Sequence, residues 1–136
     1  MIDYFRTVYL ADTDAAGVVY FARAMEMCHE AYEEWLVTIG ISLQKLLTER
    51  KLALPIVHGE INFFRPMFCG DKLRITLQPN LINDTEFAIA YQIYLVSSPD
   101  KAIVTATTNH VCINPLTRNR IPLPSTILES LVIDCL

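Results

Sequence analysis

The chain has 136 residues, of which 52% are hydrophobic and 19% charged, and its formal net charge at pH 7 is −4. That length predicts one domain spanning 1–136, and the acidic balance argues against a nucleic acid or an anionic membrane as the main partner. Because the apolar fraction is high for a small lone domain, we expect part of the surface to be buried in an oligomer.

The first half of the chain predicts one strand and two helices. Residues 4–11 alternate apolar and polar side chains, which is typical of a strand. From Phe21 the apolar spacing changes to threes and fours, which predicts a long helix that Gly40 ends. Ser42 is a suitable cap for a shorter helix that continues to about Arg50. The apolar stripe of the long helix contains Phe21, Met25, Cys28, Tyr32, Trp35 and Ile39.

The charged residues of the long helix fall in a wedge about 100° wide, so we expect protein to wrap the helix on most sides. After Pro55 the alternation predicts strands, and Gly59 suggests a bulge or a close backbone approach. A weak helix signal follows from Ser125 to about Val132. The predicted strands cover residues 56–65, 72–78, 86–96 and 102–113.

This order of elements predicts an α+β fold in which a five-stranded antiparallel sheet curves around one long central helix. Such a sheet has two free edges and a partly open outer face. We therefore expect a homodimer formed through an edge strand, and further association through the sheet face to a homotetramer.

Residues 9–21 place two carboxylates, Asp12 and Asp14, and a glycine, Gly17, between a strand and the long helix. The N–H groups of a helix's first turn lack intrahelical partners and carry the positive end of its dipole, so they can stabilise an oxyanion. A carboxylate beside them could attack a carbonyl or activate water. The alternative is that both acids only form the turn and cap the helix.

Other chemistries have less support in the sequence. The three histidines are far apart and the cysteines lack ligand spacing, which argues against a metal site. There is no Gly-x-Ser-x-Gly motif and no glycine-rich phosphate loop. The widely spaced cysteines (Cys28, Cys69, Cys112 and Cys135) indicate reduced thiols. With no secretory or transmembrane pattern recognisable, we expect a soluble cytoplasmic protein that binds no membrane.

Two histidines have both a structural and a functional interpretation. His29 lies inside the helix at the edge of its polar wedge, where it could be a half-exposed surface residue or a hydrogen-bonding group for a phenolic ligand. His58 shares a strand face with Glu60, so the two could pair, although a solvated strand face explains them equally well.

The motif Asp12-Thr13-Asp14-Ala15-Ala16-Gly17-Val18-Val19-Tyr20, followed by a long helix and four strands, resembles the hot-dog-fold acyl-CoA thioesterases of the 4-hydroxybenzoyl-CoA thioesterase type. The resemblance runs from about Tyr4 to Cys112. Including Met-Cys-His-Glu-Ala-Tyr-Glu-Glu-Trp-Leu of the helix, the sequence is most similar to cyanobacterial 1,4-dihydroxy-2-naphthoyl-CoA thioesterases of phylloquinone synthesis.

The resemblance implies a role for each motif residue. The family's catalytic aspartate matches Asp14, which leaves Asp12 and Gly17 to shape the turn. The backbone N–H that polarises the carbonyl matches Phe21, with Tyr20 beside the acyl ring. An acidic helix residue that binds the ring hydroxyl in the benzoyl enzyme is replaced by His29, which favours a different phenolic acyl group.

The resemblance also implies an acyl-CoA substrate, no cofactor, and sites between protomers with a neighbour's residues 56–65 as a wall, which would include His58. The family's basic nucleotide-binding residues have no clear match. Three alternatives remain: a thioesterase for another acyl-CoA, a non-catalytic acyl-CoA or acyl-carrier binding module, and an enzyme whose carboxylate is Glu26, Glu30 or Glu33 on the helix.

Overall fold

The computed structural model describes residues 2–134, so the expectation for Cys135 lies outside the described residues. Over this range the chain forms five strands and three α-helices. In order these are β1 (Ile2–Thr7), α1 (Phe21–Thr38), α2 (Leu43–Glu49), β2 (Ile56–Phe63), β3 (Lys72–Asn83), β4 (Glu86–Leu95), β5 (Val104–Val111) and α3 (Ser125–Asp134), with a 3₁₀ turn at Leu10–Asp12.

The strands form one antiparallel sheet in the order β1-β3-β4-β5-β2. The predicted meander is confirmed as β3, β4 and β5, which follow each other in sequence and in space. Leu73, Ile75 and Leu77 of β3 are fully buried, as their alternation predicts. The α+β architecture with a five-stranded antiparallel sheet is therefore confirmed.

The first strand is shorter than predicted, because the alternation over 4–11 includes a 3₁₀ turn. β1 ends at Thr7, and the Asp12 side chain accepts a hydrogen bond from the backbone N–H of Tyr9 at 2.8 Å. A side-chain oxygen that takes a backbone N–H favours a turn over a strand. The chain therefore leaves the sheet four residues earlier than the prediction.

Helix α1 packs one face on the sheet, and the predicted stripe packs on the core except at its first residue, Phe21. Cys28, Tyr32 and Trp35 are buried as predicted, whereas Phe21 is 61% exposed. The remaining buried positions of α1 are Ala24, Met27, Ala31 and Leu36. The exposed face of α1, with Glu26, His29, Glu33 and Val37, follows the predicted charged wedge, which agrees with the expected packing of the sheet around the other sides of the helix.

Gly59 lies where β2 approaches helix α1. A Cβ atom at this position would lie 3.3 Å from the Met25 Cε atom, so the close approach predicted there is present. The register of β2 against β5 also shifts between Ile56 and His58, next to the glycine. β2 ends at Phe63, two residues before the predicted end.

β2 is an edge strand of the sheet, and seven of its eight residues are exposed, including the apolar Ile56, Val57 and Phe63.

At the C-terminal end of the chain, α3 packs on β3 and buries Ile127 and Leu131, which confirms the weak helix signal. Within residues 2–134, no helix is both long and apolar enough to cross a membrane.

Candidate functional site

The two aspartates between β1 and α1 have different environments. Asp14 is exposed, and its Oδ1 atom accepts a hydrogen bond from the backbone N–H of Ala16 at 2.8 Å. The Asp14 backbone N–H donates to Val18, and the Asp14 carbonyl accepts from Gly17. Among the described residues, nothing binds the second carboxylate oxygen of Asp14, so this oxygen is free to meet a ligand.

Gly17 gives the loop its sharp turn. Its φ of +82° lies in the left-handed region that side-chain-bearing residues rarely adopt. The turn brings Thr13 and Val19 into an isolated antiparallel bridge. The loop that carries Asp14 is thus a closed hairpin-like turn.

Asp12 is 5% exposed and holds the loop to the rest of the protein. Its carboxylate pairs with the Arg6 guanidinium on β1 and lies 3.5 Å from Nε of Arg23 on α1. The Asp12 carbonyl accepts a hydrogen bond from the Tyr20 N–H at 3.0 Å. Asp12 therefore ties β1 to the start of α1, and both of its carboxylate oxygens face cations or a backbone N–H.

The ion pairs of Asp12 continue along α1. The Arg6 Nη1 atom lies 2.5 Å from Oε2 of Glu30, and the Tyr4 hydroxyl donates to the same carboxylate at 3.1 Å. Arg23 pairs with Glu26 at 2.6 Å. Glu26 and Glu30 are thus engaged with arginines, whereas the Asp14 carboxylate forms none of these ion pairs. That difference favours Asp14 over the helix glutamates as a reactive carboxylate.

The N-terminus of α1 has open donors. Its cap residue, Tyr20, makes no side-chain hydrogen bond to the helix, and its carbonyl accepts from Arg23 and Ala24. In the described part of the chain, no acceptor binds the N–H of Phe21 or Ala22. Such unpartnered N–H groups at the positive end of a helix dipole can stabilise an oxyanion.

A cavity of about 450 Å³ brings Asp14 and this helix end together. That volume falls in the range of small-molecule sites, roughly 300–1,000 Å³. Its walls are mostly apolar, with Arg65 as the cation. The lining residues are Asp14, Val18, Val19, Tyr20, Phe21, Phe63, Phe64, Arg65, Pro66 and Met67.

His29 lines a second cavity, of about 220 Å³, whose other walls come from α1, β2, β4 and β5. Its Nδ1 atom lies 3.4 Å from Oε1 of Glu33, and its ring meets Tyr32 edge-on at 5.2 Å. His58 is exposed beside Glu60, 3.8 Å away, and lines neither cavity. Within one protomer, then, Tyr20 and Phe21 lie beside Asp14, while His29 and His58 lie elsewhere.

Two of the cysteines in the described range, Cys28 and Cys112, are buried. Burial raises the pKa of Cys28 to about 12 and also raises that of Cys112, so both stay protonated at neutral pH. Cys69 is exposed. No group of three or more histidine, cysteine or acidic residues in residues 2–134 has the geometry of a metal site.

Sequence reasoning missed two parts of this arrangement. One is Arg65 with Phe63 and Phe64: the sequence analysis expects them only in the wall of a neighbouring protomer, but they line the Asp14 cavity of their own chain. The other is Arg6, whose partner lies six residues away across a turn. The sequence does contain a signal for the aromatic pair: adjacent residues of a strand point to opposite faces, so one of the two phenylalanines had to lie away from the core.

A helix packed on a five-stranded antiparallel sheet, with a free carboxylate and open backbone donors at the helix N-terminus, defines the hot-dog class of acyl-transfer proteins. Residues 8–131 match the family model described as thioesterase-like superfamily. The chain belongs to this family.

Similar proteins include two named 1,4-dihydroxy-2-naphthoyl-CoA hydrolase. The one from Gloeothece citriformis is 53% identical over 129 residues, 95% of this chain and 90% of that one. The one from Crocosphaera subtropica is 49% identical over 126 residues, 93% and 92% of the two chains. The crystal structure of a 1,4-dihydroxy-2-naphthoyl-CoA thioesterase from Synechocystis superposes with a TM-score of 0.91 at 42% identity, covering 96% of this chain and 94% of that one.

Proposed function

We propose that this protein hydrolyses 1,4-dihydroxy-2-naphthoyl-CoA to 1,4-dihydroxy-2-naphthoate and CoA, as a cytoplasmic step of phylloquinone biosynthesis. The observation that carries the substrate is the identity of about half of all residues, over nearly the full chain, with hydrolases named for it. The site supports the reaction class independently, because a free carboxylate and a helix N-terminus share one cavity.

In the proposed mechanism the thioester carbonyl lies against the N-terminus of α1. The Phe21 N–H donates to the carbonyl oxygen, on which negative charge develops as the carbon becomes tetrahedral. One such donor can contribute roughly 3–4 kcal/mol to an acyl-transfer reaction. The apolar walls, with Tyr20 and Phe64, exclude water once an acyl group covers them, and this strengthens the interaction.

The Asp14 carboxylate has two routes to the product. It can attack the carbonyl carbon, expelling the CoA thiolate and forming a mixed anhydride that water then cleaves. Alternatively it takes a proton from a water molecule that attacks the same carbon, and passes this proton to the departing thiolate. Both routes consume one water and release one carboxylate, one thiol and one proton.

The proposed assembly is a homodimer formed through β2, with further association to a homotetramer. β2 is an edge strand with unpaired backbone groups on one side and exposed apolar side chains such as Ile56 and Val57. A second copy added at this edge would cover these side chains and would also bring its β2 beside the exposed face of α1. His58 is proposed as a substrate-side residue of that shared wall.

The test compares the wild type with Asp14→Asn, which keeps the size of the side chain and its acceptor for the Ala16 N–H. Release of free thiol is measured from 1,4-dihydroxy-2-naphthoyl-CoA, 4-hydroxybenzoyl-CoA and a long aliphatic acyl-CoA. We expect the first to be the best substrate and the variant to lose about 100- to 10,000-fold in kcat with little change in KM.

Three outcomes would contradict the proposal. Binding without thiol release from any thioester would indicate a binding module, and preferred turnover of the aliphatic substrate would refute the aromatic site. Wild-type turnover by Asp14→Asn would move the chemistry elsewhere. Heavy-oxygen label that enters the Asp14 peptide after turnover in labelled water would identify the covalent route.

A further inference from the structure

The cavity beside His29 has a polar side that the proposed mechanism does not use. Its volume of about 220 Å³ exceeds the roughly 150 Å³ that accommodates benzene in a protein core, so it can hold an aromatic ring. The lining residues are Met25, Glu26, His29, Ile56, Tyr91 and Thr108. Two of them, Tyr91 and Thr108, are otherwise buried in the sheet.

Tyr91 and Thr108 begin a chain of hydrogen bonds that runs into the core. The Tyr91 hydroxyl lies 3.1 Å from Oγ1 of Thr108, which lies 2.8 Å from Nε2 of His110. His110 is fully buried and stacks on Phe87, with ring centroids 4.8 Å apart and planes 2° from parallel. These hydrogen bonds therefore connect the buried, stacked His110 to Thr108 and Tyr91, which line the cavity.

The donor and acceptor of each hydrogen bond between His110, Thr108 and Tyr91 can be assigned. Burial lowers the pKa of His110 to about 4, so the imidazole is neutral at pH 7 and carries one N–H. Nδ1 of His110 has no hydrogen-bond partner in the described protein. An unpaired buried N–H is rarer than an unpaired acceptor, so the network assigns the proton to Nε2. His110 then donates to Thr108, Thr108 donates to Tyr91, and the Tyr91 O–H is left to donate elsewhere.

We propose that this cavity binds the ring of the aryl acyl group and that the Tyr91 hydroxyl donates a hydrogen bond to a ring oxygen remote from the thioester. This rests on the proposed function for the identity of the acyl-CoA. Tyr91 then determines specificity, and Thr108 and His110 position its proton.

The arrangement suits a phenolic hydroxyl in particular. The cavity offers two polar side chains, the Tyr91 hydroxyl and the His29 imidazole. A phenolic hydroxyl can both donate and accept a hydrogen bond, so it can bind both side chains.

Met25 lies one helical turn after Phe21 and one turn before His29, so an acyl group that extends along Met25 would connect the two cavities.

The test measures binding, so that it does not depend on turnover. Two CoA thioethers carry an aryl ketone in place of the thioester, which makes them resistant to hydrolysis. One bears a 1,4-dihydroxy-2-naphthyl ring and the other a 1-hydroxy-2-naphthyl ring, which lacks the remote hydroxyl. Calorimetry gives the Kd of each for the wild type, for Tyr91→Phe, and for the matched control Tyr94→Phe on the same strand, whose hydroxyl binds Gln92 instead.

We expect the wild type and Tyr94→Phe to bind the dihydroxy ligand more tightly than the monohydroxy ligand. Tyr91→Phe should weaken binding of the dihydroxy ligand about fivefold to tenfold, the range of one hydrogen bond, and leave the monohydroxy ligand within about twofold. Equal loss for both ligands, or no loss for either, would overturn the proposal. Equal Kd values of the two ligands for the wild type would also overturn it, and this comparison does not require the variant to fold. Failure of the proposed function would instead appear as absent thiol release from the thioesters.

Discussion

Asp12→Asn is the perturbation that most directly tests how the loop between β1 and α1 is held. The substitution keeps the size of the side chain and one carbonyl-type oxygen for the Tyr9 N–H, but it removes the negative charge between two guanidinium groups. The Arg6 side chain is only 11% exposed, so it cannot recover full hydration when its partner is neutralised.

The expected loss follows from burial. Removing one partner of a buried ion pair typically costs 3–5 kcal/mol, because the other charge is left uncompensated. Arg6 keeps Glu30 as a second partner, which argues for the lower end of that range. Arg23 is 40% exposed and adds little. We expect the free energy of unfolding to fall by about 3 kcal/mol.

Urea unfolding at fixed protein concentration measures this change, since an oligomer's stability depends on concentration. Asp3→Asn is the matched control, because Asp3 also pairs with an arginine, Arg74 at 3.6 Å, but is exposed. The control should lose less than about 0.5 kcal/mol. If Asp12→Asn lost no more than Asp3→Asn, the reasoning that Asp12 is a buried anchor would be refuted.

Three further results are expected. Gly17→Ala should cost about 1–2 kcal/mol in urea unfolding, because alanine is strained at a φ of +82°, and equal stability would contradict this. Iodoacetamide at pH 8, followed by peptide mass analysis of the native protein, should label Cys69 well before Cys28, whose burial keeps the thiol protonated. His110, with a pKa near 4 when folded against about 6.5 unfolded, binds a proton more readily in the unfolded chain, so stability should fall by up to about 3 kcal/mol as the pH drops from 6.5 to 4. His110→Phe should flatten that slope, and an unchanged slope would assign it to other groups.

The parts of the fold that follow from local patterns were predicted well. Period-two alternation located β3 and the inward residues of β4, since a strand buried on one face must alternate. The Ser42 cap of α2 was also predictable, and its Oγ accepts from the Lys45 N–H at 3.2 Å. These features depend only on residues close together in the sequence.

Phe21 shows why the N-terminal end of the buried stripe of α1 could not be predicted. An apolar residue at helical spacing from Met25 extends the stripe, but Phe21 begins the helix and faces the Asp14 cavity instead of the sheet. Helical periodicity gives the spacing of a face and does not say where the covering sheet ends. An exposed aromatic residue at that point is a property of the site.

The hydrogen-bond chain beside His29 could not be predicted, because it depends on strand register. Tyr91 pairs with Ala106, so its diagonal neighbour on the same face of β5 is Thr108, and His110 follows two residues later. The sequence indicates that these residues lie on strands. Only the register between β4 and β5 brings the three polar groups together inside the sheet.

The two carboxylates of the motif differ in how many of their oxygens are engaged, and this difference constrains any mechanism. Asp12 has both oxygens facing arginines or a backbone N–H, so reaction at Asp12 would first require breaking the anchor between β1 and α1. Asp14 engages one oxygen, and this bond to Ala16 orients the other. Because the Asp12 carbonyl binds the N–H of Tyr20, directly before the proposed donor at Phe21, the anchor also sets where that donor lies relative to Asp14. Loosening Asp12 should therefore lower kcat more than it raises KM, since donor alignment matters most when charge develops on the carbonyl oxygen.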